Sequence, residues 1–316
     1  MGARRASVLI CEFMDGAAVD RLREFHDVDY RPELVDQPAA LMQAAAPCDA
    51  LIVRNRTQVR GALLGALARC RVVGRLGVGL DNIDVDACEA RGIAVIPATG
   101  ANALSVAEYV IATAMLLLRG AYGSTPQVAA GAWPRAALGQ GRETRGKTLG
   151  IIGFGSIGRM VGGLAQSLGM RVIGYDAFLS AGDQAWREAG VVAVSLDELV
   201  AKADVVTLHV PLLEATRGLF GAGRIARMKP GAVLINTSRG EVVDAAAVAA
   251  ALRSGRLGGA ALDVFQAEPL PATPYLQDCP HLLLTPHISG VSAESNERVS
   301  ALIADRVIQF FNEAGA

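Results

Sequence analysis

The chain of 316 residues has few aromatic side chains, few histidines and no excess of charge of either sign. Aromatic residues make up 5% of the sequence, and there are four histidines. The 30 basic residues nearly balance the 31 acidic ones, which gives a formal net charge of −1. Proteins that bind nucleic acid or a membrane surface usually carry a clear basic excess. We therefore expect neither nucleic acid nor membrane as a partner.

Cysteine is also scarce, and the five cysteines form no CxxC pair. They are Cys11, Cys48, Cys70, Cys88 and Cys279. This scatter predicts no disulfide framework and no metal site, and it favours a cytoplasmic protein in which thiols stay reduced. The longest apolar stretch, residues 109–118, is too short to span a membrane.

Apolar residues make up 52% of the chain, and they occur in short runs that alternate with amphipathic or Ala-rich segments. This alternation predicts an α/β fold with two doubly wound parallel-sheet domains that divide near residue 100. Residues 102–118 and 291–313 are predicted as long helices. The predicted strands cover 7–12, 50–53, 72–76, 93–97, 148–153, 170–175, 204–210, 232–237, 259–264 and 281–284.

A glycine-rich turn follows the predicted strand at 148–153, with the sequence GFGSIG over 153–158. Gly153 permits a tight turn, and Gly155 lets backbone N–H groups approach a pyrophosphate. Gly158 lets the following helix pack closely on the strand, and the first helical residues, Ser156 and Ile157, present unpaired N–H donors. A strand, this turn and a helix in that order indicate a dinucleotide site.

An acidic residue in the expected place strengthens this interpretation. Asp176 ends the next predicted strand, eighteen positions after Gly158. A carboxylate there accepts hydrogen bonds from the ribose hydroxyls and repels a 2′-phosphate. The sequence therefore predicts NAD rather than NADP as the cofactor.

Three chemically suited residues come directly after later predicted strands: Arg239, Glu268 and His287. Hydride transfer to or from a 2-hydroxy acid needs a cation that binds the substrate carboxylate, which arginine does with two parallel hydrogen bonds. It also needs an acid/base near neutrality, which histidine supplies. A carboxylate bonded to the imidazole orients the ring and favours its protonated form. Each residue alone has an ordinary structural explanation, but the three together favour a catalytic role.

Five segments together resemble the D-2-hydroxyacid dehydrogenase family. They are GFGSIG (153–158), HVPL (209–212), NTSRGEVVD (236–244), ALDVFQAEP (261–269) and TPHISG (285–290). The resemblance implies a flavodoxin-like substrate-binding domain of residues 1–100 plus 288–316 and a Rossmann NAD-binding domain of residues 101–287. It also implies an active site in the cleft between them, a homodimer, and catalysis by Arg239, Glu268 and His287.

The resemblance further implies that several residues contact the cofactor or the substrate. Those expected on the nicotinamide side are His209, Thr237, Ser238 and Asp263. Val78 and Gly79 are expected to bind the substrate carboxylate through backbone N–H groups, and Asn102 is expected at the substrate's edge.

Three arginines bear on the identity of the substrate: Arg54, Arg56 and Arg75. Several cations beside a carboxylate site suit a second anionic group. The segments EFMD (12–15) and VRNRTQV (53–59) resemble sulfolactate dehydrogenases, which favours oxidation of 3-sulfolactate to sulfopyruvate. An alternative is a phosphoglycerate dehydrogenase, although we expect no regulatory domain after residue 316.

Two further alternatives stay open at this point. One is a hydroxypyruvate or glyoxylate reductase, whose smaller substrates need no extra cations. The other belongs to a different class: an NAD(H)-sensing, corepressor-like interaction protein that keeps the fold and the three catalytic residues.

Overall fold

The predicted strands pair into two parallel sheets, one in each of two units. The structure, a computed structural model, describes residues 5–314. The first unit comprises Met1–Asn102 and Val291–Ala316, and the second comprises Ala103–Gly290. Of the segments predicted as 1–100 and 288–316, the first four and the last two residues lie outside the described part.

The strands are β1 (Ser7–Ile10), β2 (Asp27–Tyr30), β3 (Ala50–Val53), β4 (Val72–Arg75), β5 (Ala94–Pro97), β6 (Thr148–Ile152), β7 (Arg171–Tyr175), β8 (Val192–Ala193), β9 (Val205–Leu208), β10 (Ala232–Asn236), β11 (Leu257–Leu262) and β12 (Leu282–Leu284). The α-helices are α1 (Gly16–Phe25), α2 (Pro38–Ala45), α3 (Gly61–Ala66), α4 (Val85–Glu89), α5 (Ala103–Arg119), α6 (Thr125–Ala129), α7 (Arg135–Leu138), α8 (Ser156–Ser167), α9 (Gln184–Glu188), α10 (Leu196–Lys202), α11 (Ala222–Ile225), α12 (Ala245–Arg253) and α13 (Ala293–Ala314).

The first unit is built on a five-stranded parallel sheet in the order β2-β1-β3-β4-β5, which is the flavodoxin-like order. Helices cover both of its faces. On one face, α1 and α13 bury apolar side chains against β1, β3 and β4. Gly74 lets α13 approach closely, because a Cβ there would lie 2.8 Å from the Cγ2 of Ile303.

The second unit has a seven-stranded sheet in the order β12-β11-β10-β9-β6-β7-β8. Counted from β6, this is the Rossmann order 3-2-1-4-5-6 with one more strand beside the sixth. All its strand pairs are parallel. Helices α5 and α8 pack on one face, and α10, α11 and α12 pack on the other. The predicted class of two doubly wound parallel sheets is therefore confirmed.

Two short strands were absent from the sequence-based prediction. β2 has the sequence DVDY and lies at a sheet edge with its side chains alternately exposed and partly buried. β8 has only two residues and lies at the edge of the second sheet. Neither forms an apolar run, because an edge strand buries little of its surface. Across residues 5–314, no helix is long and apolar enough to cross a membrane.

Candidate active site

The turn between β6 and α8 needs two of its glycines for reasons internal to the protein. Gly153 has a φ of +92°, and a Cβ there would lie 2.4 Å from the backbone oxygen of His209. A Cβ at Gly158 would lie 2.2 Å from the backbone oxygen of Gly153. Both distances are far below van der Waals contact, so the strand, turn and helix can pack this way only with glycine at both positions.

Gly155 is different, because a Cβ there would meet no atom within 4 Å and its backbone lies in the extended region. No contact within the protein therefore requires glycine at this position. Gly155 is the N-cap of α8, which has no side-chain cap, so the N–H groups of Ser156 and Ile157 at the exposed helix start can serve an anion. Open space beside uncapped helical donors fits the pyrophosphate of a dinucleotide.

Asp176 lies beside this turn, at the carboxyl end of β7. Its Oδ2 accepts a hydrogen bond from the N–H of Phe154 at 2.7 Å, and its Oδ1 accepts one from Phe178 at 2.8 Å. A carboxylate has about four lone-pair positions, so two remain for ribose hydroxyls. Asp176 thus holds the turn in place and can still accept hydrogen bonds from the ribose hydroxyls, as the sequence predicts.

The neighbouring strands β9 and β10 end in the residues predicted for the nicotinamide side. The Nε2 of His209 lies 3.0 Å from the Oγ1 of Thr207, and its Nδ1 lies 3.5 Å from the Oγ1 of Thr237. Burial lowers the pKa of His209 to about 3, so this ring is neutral at physiological pH. Ser238 is buried, and its hydroxyl donates to the Oδ1 of Asn236 at 2.7 Å. Its side chain therefore fixes the end of β10.

His287 and Glu268 form a hydrogen-bonded pair after β12 and β11. The Nδ1 of His287 lies 2.7 Å from the Oε2 of Glu268, and the Oε1 of Glu268 accepts the N–H of Phe265 at 3.0 Å. Burial opposes ionisation of Glu268, but the hydrogen bonds from His287 and Phe265 outweigh it, and the charges of His287 and Arg239 add to them. The pKa of Glu268 is consequently lowered. An ionised Glu268 makes Nδ1 the donor and leaves Nε2 free for proton transfer.

Arg239 follows β10 and belongs to the same group of side chains, since its charge contributes to lowering the pKa of Glu268. Its Nη1 donates to the backbone oxygen of Ser238 at 2.6 Å. The next residue, Gly240, brings this segment against the loop that carries Glu268. A Cβ on Gly240 would lie 2.0 Å from the backbone carbon of Phe265. Glycine at 240 is thus the local reason that Arg239 and Glu268 share one region.

The loop that carries His287 is held by Asp263, which is fully buried. Its Oδ1 accepts hydrogen bonds from the hydroxyl of Thr285 at 2.6 Å and the N–H of Ile288 at 2.9 Å. Its Oδ2 accepts the N–H of Ser289 at 2.8 Å. His287 itself has a φ of +55°, a conformation that is rare for a non-glycine residue. The carboxylate of Asp263 therefore supports the strained loop directly.

Sequence reasoning missed Tyr109 in this arrangement. Its hydroxyl lies 2.6 Å from the Oγ1 of Thr285, and because Thr285 donates to Asp263, Tyr109 is the donor. Tyr109 lies on α5, 176 positions before Thr285, and no local motif connects the two. Only the packing of α5 on the sheet brings them together.

In the first unit, Glu12 and Asn82 shape the loop after β3. The buried Glu12 accepts the N–H groups of Arg54 at 2.8 Å and Thr57 at 3.0 Å with its Oε1, and that of Arg56 at 3.3 Å with its Oε2. The Nδ2 of Asn82 donates to the backbone oxygens of Arg54 and Thr57 at 3.1 and 2.7 Å. The loop is thus fixed by two side chains that the sequence interpretation did not assign.

The two arginines of this loop have different partners. Arg56 is exposed and forms a two-nitrogen ion pair with Asp36. Arg54 is partly buried, and its Nη2 donates to the neutral Oδ1 of Asn296 at 2.9 Å. Burial lowers the pKa of Arg54, although the charge of Glu12 opposes this. Of the two cations, Arg54 is the one whose charge no ion pair within residues 5–314 compensates.

The remaining residues predicted for the substrate lie on β4 and the segments after it. Arg75 ends β4, and its Nη1 donates to the backbone oxygen of Leu76 at 3.0 Å. The N–H groups of Val78 and Gly79 have no backbone or side-chain acceptor within residues 5–314, so they remain available to a carboxylate. The Oδ1 of Asn102 is shielded from solvent and has no hydrogen-bond partner there, so it can accept a hydrogen bond from a ligand.

The second unit thus brings Arg239, Glu268 and His287 together at the carboxyl edge of its sheet, near the dinucleotide turn. The first unit presents Arg54, together with the N–H groups after β4. Among the described residues, no group of three or more His, Cys, Asp or Glu side chains could hold a metal ion. The group of side chains in the second unit can perform acid/base chemistry beside a dinucleotide, and the residues of the first unit can bind an anion.

A family model for the NAD-binding domain of D-isomer specific 2-hydroxyacid dehydrogenases matches residues 111–289. The chain belongs to this family. It is 54% identical to the (S)-sulfolactate dehydrogenase of Chromohalobacter salexigens over 96% of this chain and 97% of that one. It is 35% identical to the D-3-phosphoglycerate dehydrogenase of Synechocystis over 96% of this chain, and it spans about half (53%) of that relative's length.

Solved structures of the family superpose closely on the chain. A glyoxylate reductase described from Paecilomyes thermophila is 29% identical and matches with a TM-score of 0.85 over 99% of this chain and 97% of that one. Family membership confirms that the protein is an NAD-dependent 2-hydroxyacid dehydrogenase, and that NAD is its cofactor.

Proposed function

We propose that the protein oxidises 3-sulfolactate to sulfopyruvate with NAD. The observation that carries this proposal is the guanidinium of Arg54, which forms no ion pair within residues 5–314 and lies at the carboxyl end of β3, where doubly wound sheets bind ligands. A guanidinium in that position suits a second anionic group on the substrate. The 54% identity to a sulfolactate dehydrogenase supports the sulfonate as that group.

The stereochemistry of the substrate fits the family. In sulfolactate the carbon that bears the sulfonate outranks the carboxyl carbon, because sulfur precedes oxygen in the priority rules. In lactate the carboxyl carbon outranks the methyl group. The (S) form of sulfolactate therefore has the same spatial arrangement as D-lactate, which a D-isomer specific enzyme would accept.

The roles of the residues follow from their contacts. We assign to Arg239 the binding of the substrate carboxylate and the polarisation of the C2 oxygen. Glu268 holds the Nδ1 of His287, so the Nε2 of His287 takes the proton of the C2 hydroxyl during oxidation. The β6–α8 turn would hold NAD, which would supply the acceptor for the hydride that leaves C2. Asp176 supports NAD rather than NADP.

Substrate groups are assigned to the two units separately. The second unit would hold NAD, and its Arg239 and His287 would act on the carboxylate and the C2 hydroxyl of the substrate. In the first unit, the N–H groups of Val78 and Gly79 would bind the carboxylate, and Arg54 would bind the sulfonate. Arg56 is already paired with Asp36, so its contribution would be the smaller one.

A substrate panel tests the proposal. We expect kcat/KM with NAD to be highest for (S)-sulfolactate among (S)-sulfolactate, 3-phospho-D-glycerate, D-glycerate and D-lactate. A preference for 3-phospho-D-glycerate would favour the second candidate, which the phosphoglycerate dehydrogenase relatives and the same arginine support. Equal kcat/KM values for all four acids would show that the second anionic group does not determine specificity. Tight NADH binding without any turnover would favour an interaction protein.

We also propose a homodimer. Helix α5 exposes Leu104, Met115 and Leu116, and Trp133 nearby in the sequence is 78% exposed, so these side chains offer an apolar surface to a second copy of the chain. Light scattering after size exclusion should give twice the mass of 32.8 kDa, and Met115→Glu should shift it toward the single chain. A single-chain mass for the unmodified protein would contradict this.

The cytoplasm is the proposed location. The described cysteines are all free thiols, and four of the five are buried. Five cysteines without a disulfide bond among them fit a reducing compartment, in which thiols stay reduced. Fractionation of cells of the source organism, with NADH-dependent sulfopyruvate reduction measured in each fraction, tests the location.

A further inference from the structure

Asn296 lies in the first turn of α13 and contacts the guanidinium of Arg54. Its Oδ1 accepts a hydrogen bond from the Nη2 of Arg54 at 2.9 Å. Its backbone N–H donates to the oxygen of Ser292 at 3.0 Å, which fixes Asn296 at the start of the helix. Because a guanidinium can only donate, the amide oxygen must face Arg54, and the Nδ2 with its two N–H groups faces away from it.

The partner of Arg54 is neutral, and this has an electrostatic consequence. A carboxylate at the same distance would neutralise the arginine, as Asp36 does for Arg56. The nearest carboxylate to act on Arg54 is that of Glu12, whose oxygens are already occupied by backbone N–H groups of the loop. Arg54 therefore forms no direct ion pair within residues 5–314, while one of its nitrogens is held in place by a neutral partner.

The other donors of Arg54 remain available. Its Nε and Nη1 make no hydrogen bond within residues 5–314, and neither is among the polar atoms that the protein shuts off from solvent. The guanidinium carbon lies 5.9 Å from the centre of the Phe13 ring, which supports the plane of the group from one side. Asn296 and Phe13 together orient Arg54 and leave one edge of its fork open.

We propose that Asn296 determines specificity for dianionic 2-hydroxy acids by orienting Arg54 through a neutral hydrogen bond. The open edge of the guanidinium and the Nδ2 of Asn296 together bind the second anionic group of the substrate. Asn296 is thus a positioning residue that also supplies a donor. The inference rests on the proposed function, since it needs a substrate with two anionic groups.

The discriminating variant is Asn296→Asp, which keeps the shape of the side chain and adds a charge. Its carboxylate would pair with Arg54 and compete with the sulfonate. We expect the KM for sulfopyruvate in the NADH-dependent reduction to rise at least about tenfold, while kcat/KM for pyruvate changes less than about threefold. Asn296→Ser, which retains a smaller neutral acceptor, should cost sulfopyruvate less than Asn296→Asp does.

Two controls separate this effect from a structural one. Gln309→Glu adds the same charge to α13, about 20 Å along the helix from Asn296, and should leave both substrates unchanged. The melting temperature and the NADH affinity report whether each variant is folded. Equal losses for sulfopyruvate and pyruvate in folded Asn296→Asp and Asn296→Ser would overturn the inference and leave the proposed function intact. If the unmodified enzyme does not prefer the dianion, the proposed function itself fails.

Discussion

Among single residues, His287 combines a strained backbone with a functional side chain. Its φ of +55° is maintained by hydrogen bonds from its N–H to the oxygens of Asp263 and Thr285, at 2.8 and 3.0 Å. Strain of this kind persists where the surrounding structure fixes it, and it is common at functional sites. The conformation places the imidazole at 2.7 Å from Glu268. The strained backbone of His287 thus places the imidazole where Glu268 can orient it.

Replacement of His287 by alanine should abolish turnover and leave the Kd for NADH nearly unchanged, because the ring is assigned to proton transfer and not to the cofactor. His281→Ala is a matched control, since His281 is exposed and has the same φ of +55° at the start of β12. Fluorescence titration with NADH and steady-state rates measure both effects. Loss of NADH binding in His287→Ala alone would make the residue structural.

Arg239→Lys keeps the charge and loses the planar fork. We expect kcat/KM to fall by at least about 30-fold, which corresponds to roughly 2 kcal/mol of transition-state binding. Arg56→Lys serves as the comparison, since Arg56 is exposed and paired with Asp36. Should Arg239→Lys match the unmodified enzyme in kcat/KM, Arg239 has no part in the mechanism.

The residues of the site differed in how far the sequence predicted them. Arg239, Glu268 and His287 follow predicted strands within motifs, so their grouping could be inferred from the parallel sheet alone. The difference between Arg54 and Arg56 could not, because it depends on Asp36 and on Asn296, which is 242 positions away from Arg54. Pairing of this kind is set by tertiary packing, which no local pattern encodes.

At the scale of elements, the β6–α8 turn separates the needs of the fold from those of the ligand. A Cβ at Gly158 would collide with the backbone of Gly153, whereas one at Gly155 would meet no protein atom. The same motif therefore contains two glycines that the fold requires, Gly153 and Gly158, and one, Gly155, that only the ligand requires.

Gly155→Ala should leave the melting temperature within about 2 °C and weaken NADH binding about tenfold or more, because the methyl group enters the space for the pyrophosphate. Gly158→Ala should lower stability by about 1–3 kcal/mol, because the helix must move off the strand. Thermal unfolding and NADH titration of both variants measure the contrast. Unchanged NADH binding in Gly155→Ala would show that no ligand group approaches this position.

Elements with regular apolar runs were predicted well, and those without them were missed. β3, with the sequence ALIV, is buried at every position and was predicted within its exact bounds, Ala50–Val53. β2, with two aspartates in four residues, lies at the edge and carries no such pattern. β2 still pairs with β1, because the backbone hydrogen bonds between the two strands need no apolar side chain.

On the scale of the whole molecule, buried neutral histidines make stability depend on pH. Burial lowers the pKa of His209 to about 3, and burial together with the charge of Arg5 lowers the pKa of His26. An unfolded histidine titrates near pH 6.5. Below that pH the unfolded chain binds protons that the folded chain does not, so the free energy of unfolding falls as the pH falls.

We expect the urea midpoint of the second unit to decrease between pH 6.5 and pH 4, with His209 contributing up to about 1.4 kcal/mol per pH unit. The two tryptophans of the chain, Trp133 and Trp186, both lie in the second unit, so their fluorescence reports on it alone. His209→Asn should flatten the decrease, and the exposed His281→Asn should not. Parallel curves for the unmodified protein and His209→Asn would refute the assignment.

The core of the first unit is complete only when α13 packs on it. The chain reaches α13 after the whole of the second unit. Val299, Ile303 and Val307 of this helix are buried on the face of the sheet, and each buried side chain of this kind contributes about 1.5–3 kcal/mol. During synthesis, residues 5–102 therefore lack the part of their core that α13 covers while 188 residues, Ala103–Gly290, are made.

The order of maturation on the ribosome is consequently the reverse of the order of translation. Chains that end at residue 290 and are held outside the ribosome exit tunnel by an added linker should show native tryptophan fluorescence from the second unit, while limited proteolysis should cut within residues 5–102. Protection of that segment before α13 has emerged would contradict this order. Because Asn296 is on the same helix, the contact that holds Arg54 is among the last to form.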